Sequence, residues 1–303
     1  MTVTENVHVP LWGLHAYTSS VDVESKSANL HVEVDIQNAG SSSSQGVRAK
    51  MNLYVVEETH LIKRLKTLKR RNRYDPSGKL DLSDSTQIVN IDSKQTKTLE
   101  IRTVLKNAKL WSVDTPNLYV ASVDIVDSVN NVLDHVNRTF GIRKLNFTST
   151  HGFLLNDVPT KLYGGCVHHA NGPLGSRTLD RAEERRVELL KDMGYNAIRT
   201  SHNPVSPEFL NACDKLGMLV MEEAFDCWEQ GKNPDDYHNY FDDWWELDLE
   251  AMVLRDRSRP SIVMWSIGNE IPMRTTAAGY VVLHWNHSAI KPIEIHHSNT
   301  DTI

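Results

Sequence analysis

The rhythm of apolar residues changes once along this 303-residue chain, near residue 150, and that change constrains the fold more than any other feature. Before it, short runs alternate apolar and polar residues. The cleanest is Leu30-His31-Val32-Glu33-Val34-Asp35-Ile36, whose Leu30, Val32, Val34 and Ile36 share one face of an extended strand. Comparable runs cover residues 51–56, 96–101, 118–125 and 132–140, with turn-rich stretches at 38–46 and 75–78. Several short strands at this spacing, with no long helical pattern between them, predict an antiparallel β-sandwich over residues 1–147.

From residue 148 on, strand-like and helix-like segments alternate. Residues 161–166 read as a first strand. Asp180-Arg181-Ala182-Glu183 has the form of a capping box, with Asp180 as N-cap of a helix that Gly194 stops. Residues 197–200 read as a second strand, residues 207–215 as a helix ended by Gly217, and residues 219–222 as a third strand. Trp245, Leu249, Met252 and Val253 stripe a helix over 242–257, and Ile262-Val263-Met264-Trp265 is a fourth strand. Strict β/α alternation predicts a parallel sheet, closed into a barrel or doubly wound.

Composition excludes several classes. Hydrophobic residues at 40% and charged residues at 24% are ordinary for a globular chain. The net charge of −6 gives no global attraction to nucleic acid. No apolar run approaches the roughly 20 residues that span a bilayer, so no membrane partner is expected. No signal peptide is visible at the N-terminus, and Cys166, Cys213 and Cys227 are too few for a disulfide framework, which together predict a cytoplasmic protein. Sequons at Asn137, Asn146 and Asn286 would matter only in a secreted chain. One basic segment, residues 61–73 with Lys63, Arg64, Lys66, Lys69, Arg70, Arg71 and Arg73, reads as a solvated hairpin or short helix on the sandwich rim rather than a nucleic-acid patch.

Polar residues gather after each strand of the second half. His168, His169 and Asn171 follow the first; Ser201, His202 and Asn203 the second; Glu223, Asp226 and Trp228 the third; Asn269 and Glu270 the fourth. In a β/α barrel these ends converge on one face, where active sites lie. Within Trp265-Ser266-Ile267-Gly268-Asn269-Glu270, a carboxylic acid at the barrel mouth gains a raised pKa if aromatic neighbours desolvate it. The adjoining amide can hold a sugar hydroxyl, a pairing suited to glycoside hydrolysis.

These motifs resemble glycoside hydrolase family 2, which includes β-galactosidases, β-glucuronidases and β-mannosidases. Leu110-Trp111-Ser112-Val113-Asp114-Thr115-Pro116-Asn117-Leu118-Tyr119 and Arg138-Thr139-Phe140-Gly141-Ile142-Arg143-Lys144 resemble the family's immunoglobulin-like domain and its exit into the barrel. Residues 164–169, Asn196-Ala197-Ile198-Arg199-Thr200-Ser201-His202-Asn203-Pro204, Glu222-Glu223-Ala224-Phe225-Asp226 and residues 255–260 leading into Trp265–Glu270 resemble its barrel motifs in order, over about residues 10–280. The resemblance implies an immunoglobulin-like β-sandwich followed by the first half of a TIM (β/α)8 barrel. It implies a retaining β-galactoside-type hydrolase with Glu270 as acid/base, and His169, His202, Asp226 and Asn269 as contacts to a carbohydrate substrate.

Departures from the family pattern are as informative. Where some members hold magnesium through a Glu and a His beyond the third strand, this chain has Cys227 and Glu229, so no cofactor is expected. A zinc site of His168, His169, His202 and Glu223 is conceivable by ligand type but fits no compact spacing motif. Full members begin with a sugar-binding jelly-roll domain, of which only the last strand has a counterpart here. Four strands are legible where a barrel has eight, residues 283–303 do not continue the family pattern, and nothing around Glu294 resembles its nucleophile motif. The expectation is therefore an incomplete or inactive form, with a non-catalytic carbohydrate- or partner-binding remnant as one alternative reading and a metal-dependent hydrolase using the histidine cluster as the other. Its unclosed sheet would favour oligomers.

Overall fold

A computed structural model describes residues 4–56 and 78–271. The basic segment 61–73, the turn residues before Gly78, the sequon at Asn286 and the tail 283–303 lie outside the described residues. The chain divides into two compact units. One runs to Lys144 and takes in Ser258–Pro260; the other comprises Leu145–Arg257 and the residues from Ser261 on.

Among the described residues the first unit has nine strands: β1 (Val7–His8), β2 (Leu14–Asp22), β3 (Ser27–Asn38), β4 (Ser44–Val55), β5 (Gly78–Ser85), β6 (Val89–Ile91), β7 (Thr96–Leu105), β8 (Tyr119–Val126) and β9 (Val132–Phe140). One antiparallel sheet places β3 between β2 and β7, with β1 also paired to β3; the other runs β5-β4-β8-β9, with β6 on β4. Alternation explains the layering. Leu30, Val32, Val34 and Ile36 of β3 are wholly buried, as are Val47, Ala49 and Leu53 of β4 and Ala121, Val123 and Ile125 of β8. They form one apolar cluster between the sheets, the immunoglobulin-like sandwich that the alternation predicts.

The second unit opens with a small antiparallel sheet of β10 (Leu145–Thr148), β11 (Gly152–Leu155) and β12 (Val158–Pro159). Asn156 and Asp157 turn β11 into β12 with φ of 53° and 65°, the left-handed pair that a two-residue hairpin requires. Then follow four parallel strands in sequence order: β13 (Gly164–His168), β14 (Ala197–Ser201), β15 (Leu219–Glu223) and β16 (Ile262–Ser266). Helices α1 (Asp180–Asp192), α2 (Pro207–Leu216) and α3 (Phe241–Asp256) connect them. One sheet face packs Ile198, Val220 and Trp265 against Val187, Phe209, Leu210, Leu249, Met252 and Val253 of the helices. The other face, with Cys166, Arg199, Met221 and Met264, lines an open cavity of about 280 Å³. This is the start of a TIM barrel, its inner face toward the cavity.

Two local expectations need correction. The first barrel strand is Gly164–His168 rather than 161–166. The apolar Leu162-Tyr163 pair draws a strand assignment, but the backbone pairing begins at the glycine. A side chain there would meet the carbonyl oxygen of Ala197 at 1.9 Å, so only glycine permits that approach. The capping box at Asp180 does not form: Leu179 is the N-cap and no side chain caps α1. Glu183 turns inward instead. It is 2% exposed, accepts from Asn171 Nδ2 at 3.0 Å and pairs with Arg186 Nη1 at 3.1 Å. The stops at Gly194 (φ 88°) and Gly217 (φ 71°) stand as expected. No described helix is long and apolar enough to cross a membrane.

Candidate active site

Parallel strands share a direction, so the ends of β13 to β16 deliver their following residues to one edge of the sheet. The base of the site is Glu223, the last residue of β15, wholly buried. Its Oε2 accepts from Arg199 Nε at 2.9 Å and Nη2 at 2.5 Å, and from Ser266 Oγ at 2.6 Å. Its Oε1 contacts His202 Nδ1 at 2.6 Å. Four contacts from β14, β16 and the β14 exit thus compensate a carboxylate that burial alone would make costly.

The network continues outward. Arg199 Nη2 donates to Asn269 Oδ1 at 3.0 Å, and Asn269 Nδ2 donates to Asp226 Oδ1 at 3.0 Å. These two bonds fix which way the amide of Asn269 faces, and Asn269 itself is only 7% exposed. Lys232 Nζ then lies 2.7 Å from Asp226 Oδ1 and 3.2 Å from Glu270 Oε2. Partial burial opposes ionisation of Asp226, but hydrogen bonds from Lys232 and Asn269 outweigh it and hold the carboxyl below its usual range. Partial burial also works against the Lys232 charge, and its bonds to Asp226 and Glu270 prevail, raising the ammonium above the usual lysine range. Trp228 Nε1 donates to the Ile267 carbonyl at 2.9 Å, tying the β15 exit to the β16 exit.

Of the residues singled out from sequence, His202, Asp226, Asn269 and Glu270 belong to one connected network. None of its hydrogen bonds reaches His169. That ring lies beyond β13, and its Nε2 is buried without a partner among the described residues. Burial, reinforced by the nearby Arg186, depresses its pKa, which keeps the ring neutral. His168 meets His202 edge-on, with ring centroids 5.1 Å apart. The desolvated acid expected at Glu270 is not observed among the described residues: its side chain is 77% exposed, and its φ of 51° turns it out of the strand line.

Arg199, Ser266 and Lys232 escaped the sequence reading. Arg199 carried a signal, since a charge inside a barrel strand has to meet an opposite one. Lys232 carried none, because its place depends on a loop geometry that no periodicity records.

Neither metal reading fits these residues. Cys227 is buried, its thiol donates to Asp236 Oδ1 at 3.3 Å, and burial pushes the thiol pKa up, making it a poor partner for a hard cation. Glu229 is exposed. In the zinc reading Glu223 would be a ligand, yet both its oxygens are already engaged. Among the described residues no group of three or more His, Cys, Asp or Glu is arranged to hold a metal ion.

Comparison with known proteins agrees with the two units. Residues 10–143 match the pattern of glycosyl hydrolases family 2, and residues 148–298 match the TIM barrel domain of the same family, so the family pattern runs on past residue 283, where the sequence reading has it stop. The chain is 35% identical over 271 residues to Beta-galactosidase BoGH2A of Bacteroides ovatus, covering 89% of this chain and 29% of that one. It is 44% identical over 167 residues to a putative beta-glucuronidase of Formosa agariphila, covering 55% of this chain and 16% of the relative. A solved structure of a glycosyl hydrolase family 2 member from Bacteroides cellulosilyticus superposes with a TM-score of 0.77 at 37% identity, over 90% of this chain and 32% of that chain. This chain therefore spans less than a third of the length of these relatives. With both units matched in order, the chain belongs to glycosyl hydrolase family 2.

Proposed function

We propose that these strand ends form the proton-donating and sugar-holding side of a retaining β-glycosidase site for β-galactoside-type substrates. The unbroken chain of contacts from Glu223 through Arg199, Asn269, Asp226 and Lys232 to Glu270 carries the reading. Glu270, exposed at the mouth beside Lys232, gives its proton to the glycosidic oxygen as the bond breaks and withdraws one from water in the second half-reaction. Asn269 and Asp226, pre-oriented by Arg199 and Lys232, hold sugar hydroxyls without reorganising, and His202 does so from β14 on the fixed base of Glu223. His169 completes the rim beyond β13. The named relatives support a galactoside over other sugars only through the Bacteroides ovatus protein.

Retention needs a second carboxylate about 5–5.5 Å from the acid/base. Asp226 is a poor nucleophile, because two donors share its Oδ1. Asp226 is therefore not assigned that role, and the reading rests on binding and proton transfer. Isothermal titration of the chain with isopropyl β-thiogalactoside tests it. Saturable binding, weakened roughly tenfold or more by Asp226→Ala or Asn269→Ala, is expected for lost charge-assisted hydrogen bonds. Binding indifferent to both substitutions, or no binding, would contradict the reading. Turnover of a nitrophenyl β-galactoside that Glu270→Gln removes would further place the nucleophile within this chain.

A further inference from the structure

The loop between β15 and α3 is built around one carboxylate. Asp236 Oδ2 accepts from the backbone amides of Lys232 at 2.7 Å and Asn233 at 2.8 Å. Its Oδ1 accepts from the His238 amide at 3.1 Å and the Cys227 thiol at 3.3 Å, and it also contacts His238 Nδ1. Asn239 Nδ2 closes the turn on the Pro234 carbonyl at 2.9 Å. Gly231 lets the strands of this loop meet, since a Cβ there would lie 2.3 Å from His238 Nδ1. A lysine on a mobile surface loop forms weak, averaged ion pairs. This one stands on a backbone fixed immediately at its own amide, with its side chain 29% exposed.

Its ammonium lies between two carboxylates that arrive on different strand exits, Asp226 after β15 and Glu270 after β16. Left alone, two such anions repel, and the exposed Glu270 would swing outward. The neighbouring positions that could host a divalent ion carry a protonated thiol and an exposed glutamate, so charge compensation cannot come from there.

We propose that Lys232 is a positioning residue, the built-in counter-cation that holds Glu270 beside Asp226 and occupies the place a divalent cation would otherwise take. The inference deepens the glycosidase reading and rests on it for the role of Glu270. It also makes the site indifferent to added metal.

Terbium(III) luminescence, sensitised by tryptophan, provides the test on the 303-residue chain without sugar. Trp228 lies on the adjoining exit, bonded to Ile267. In Lys232→Met the freed carboxylate pair should capture Tb³⁺ at roughly tenfold lower concentration than the wild type, in line with removing one opposing charge from a two-carboxylate site. Lys232→Arg should behave as wild type, and adding Asp226→Asn or Glu270→Gln to Lys232→Met should abolish the gain. A merely structural lysine would not produce a gain that depends on both carboxylates. Should Lys232→Met fail to fold, Lys232→Gln gives the same reading. Equal capture by wild type and variant, or a gain that survives loss of either carboxylate, would overturn the proposal. Because no sugar is present, failure to bind galactosides would count against the functional reading alone.

Discussion

The two units use their polar side chains in opposite ways. On the sandwich, histidine–carboxylate pairs lie across neighbouring strands: His15 with Glu33, His31 with Glu100, His135 with Asp124. Tyr17 stacks between His15 and His31 and donates to Glu33 at 3.1 Å, so the cluster completes itself on one face of its sheet. Burial above all, with the nearness of Glu33, pushes the Tyr17 hydroxyl up to about 12. In the second unit the polar groups are chained end to end, and the chain finishes on the exposed Glu270. Antiparallel strands alternate their ends, so side-chain pairs form on faces. Parallel strands gather their ends, so polar groups converge where a ligand can reach them. Topology, more than the number of charges, separates a self-contained pair from a convergent polar network.

That contrast can be broken first at Glu223. Glu223→Ala removes the carboxylate on which Arg199, His202 and Ser266 converge, and should cost about 3–5 kcal/mol, the penalty for breaking a buried charge pair. Glu100→Ala, in a partly exposed sandwich pair, should cost no more than about 1 kcal/mol. Urea unfolding midpoints of the two variants decide it, and equal losses would remove the distinction. Next, Ile36→Ala should cost about 2–4 kcal/mol by leaving a cavity between the sandwich sheets, with no effect on galactoside binding measured by calorimetry. Smaller again, Ser206→Ala should cost about 1 kcal/mol. The Ser206 hydroxyl accepts from the Phe209 amide at 3.2 Å and caps α2, which circular dichroism on heating would register.

The smallest expected effect is local. The Asn233 amide above all, helped by the His238 ring and amide and the Lys232 amide against partial desolvation, holds Asp236 far below the usual carboxylate range. A depressed folded-state pKa stabilises above the unfolded value, near 3.8, and that contribution fades as pH falls below it. Acidification through that window should therefore loosen the loop carrying Lys232. Amide chemical shifts of Lys232 and Asn233 that begin to move well above pH 4 would contradict this.

Much of this arrangement was legible in sequence where one local rule acted alone. β3 alternates without interruption and reads correctly, and Gly194 and Gly217 mark two helix ends. β2 went unread because its register shifts between Thr18 and Ser20, which breaks the alternation along its length. β4 was shortened because Val47 and Ala49 follow a stretch rich in turn residues, although both are wholly buried. That Asp226, Asn269 and His202 lie close together was legible from their strand-end positions, and the hydrogen bonds link them. Glu183 was not legible: its spacing from Asp180 mimics a capping box, while burial against Arg186 decides its place. Lys232 is set by backbone bonds to a residue four positions on, and such loop chemistry leaves no periodic trace.

A crystal structure of the chain soaked with isopropyl β-thiogalactoside would test the central claim most directly. The account predicts sugar hydroxyls on Asn269 and Asp226 and the glycosidic sulfur within hydrogen-bond reach of Glu270. A galactoside bound elsewhere, or seated with its sulfur away from Glu270, would contradict it.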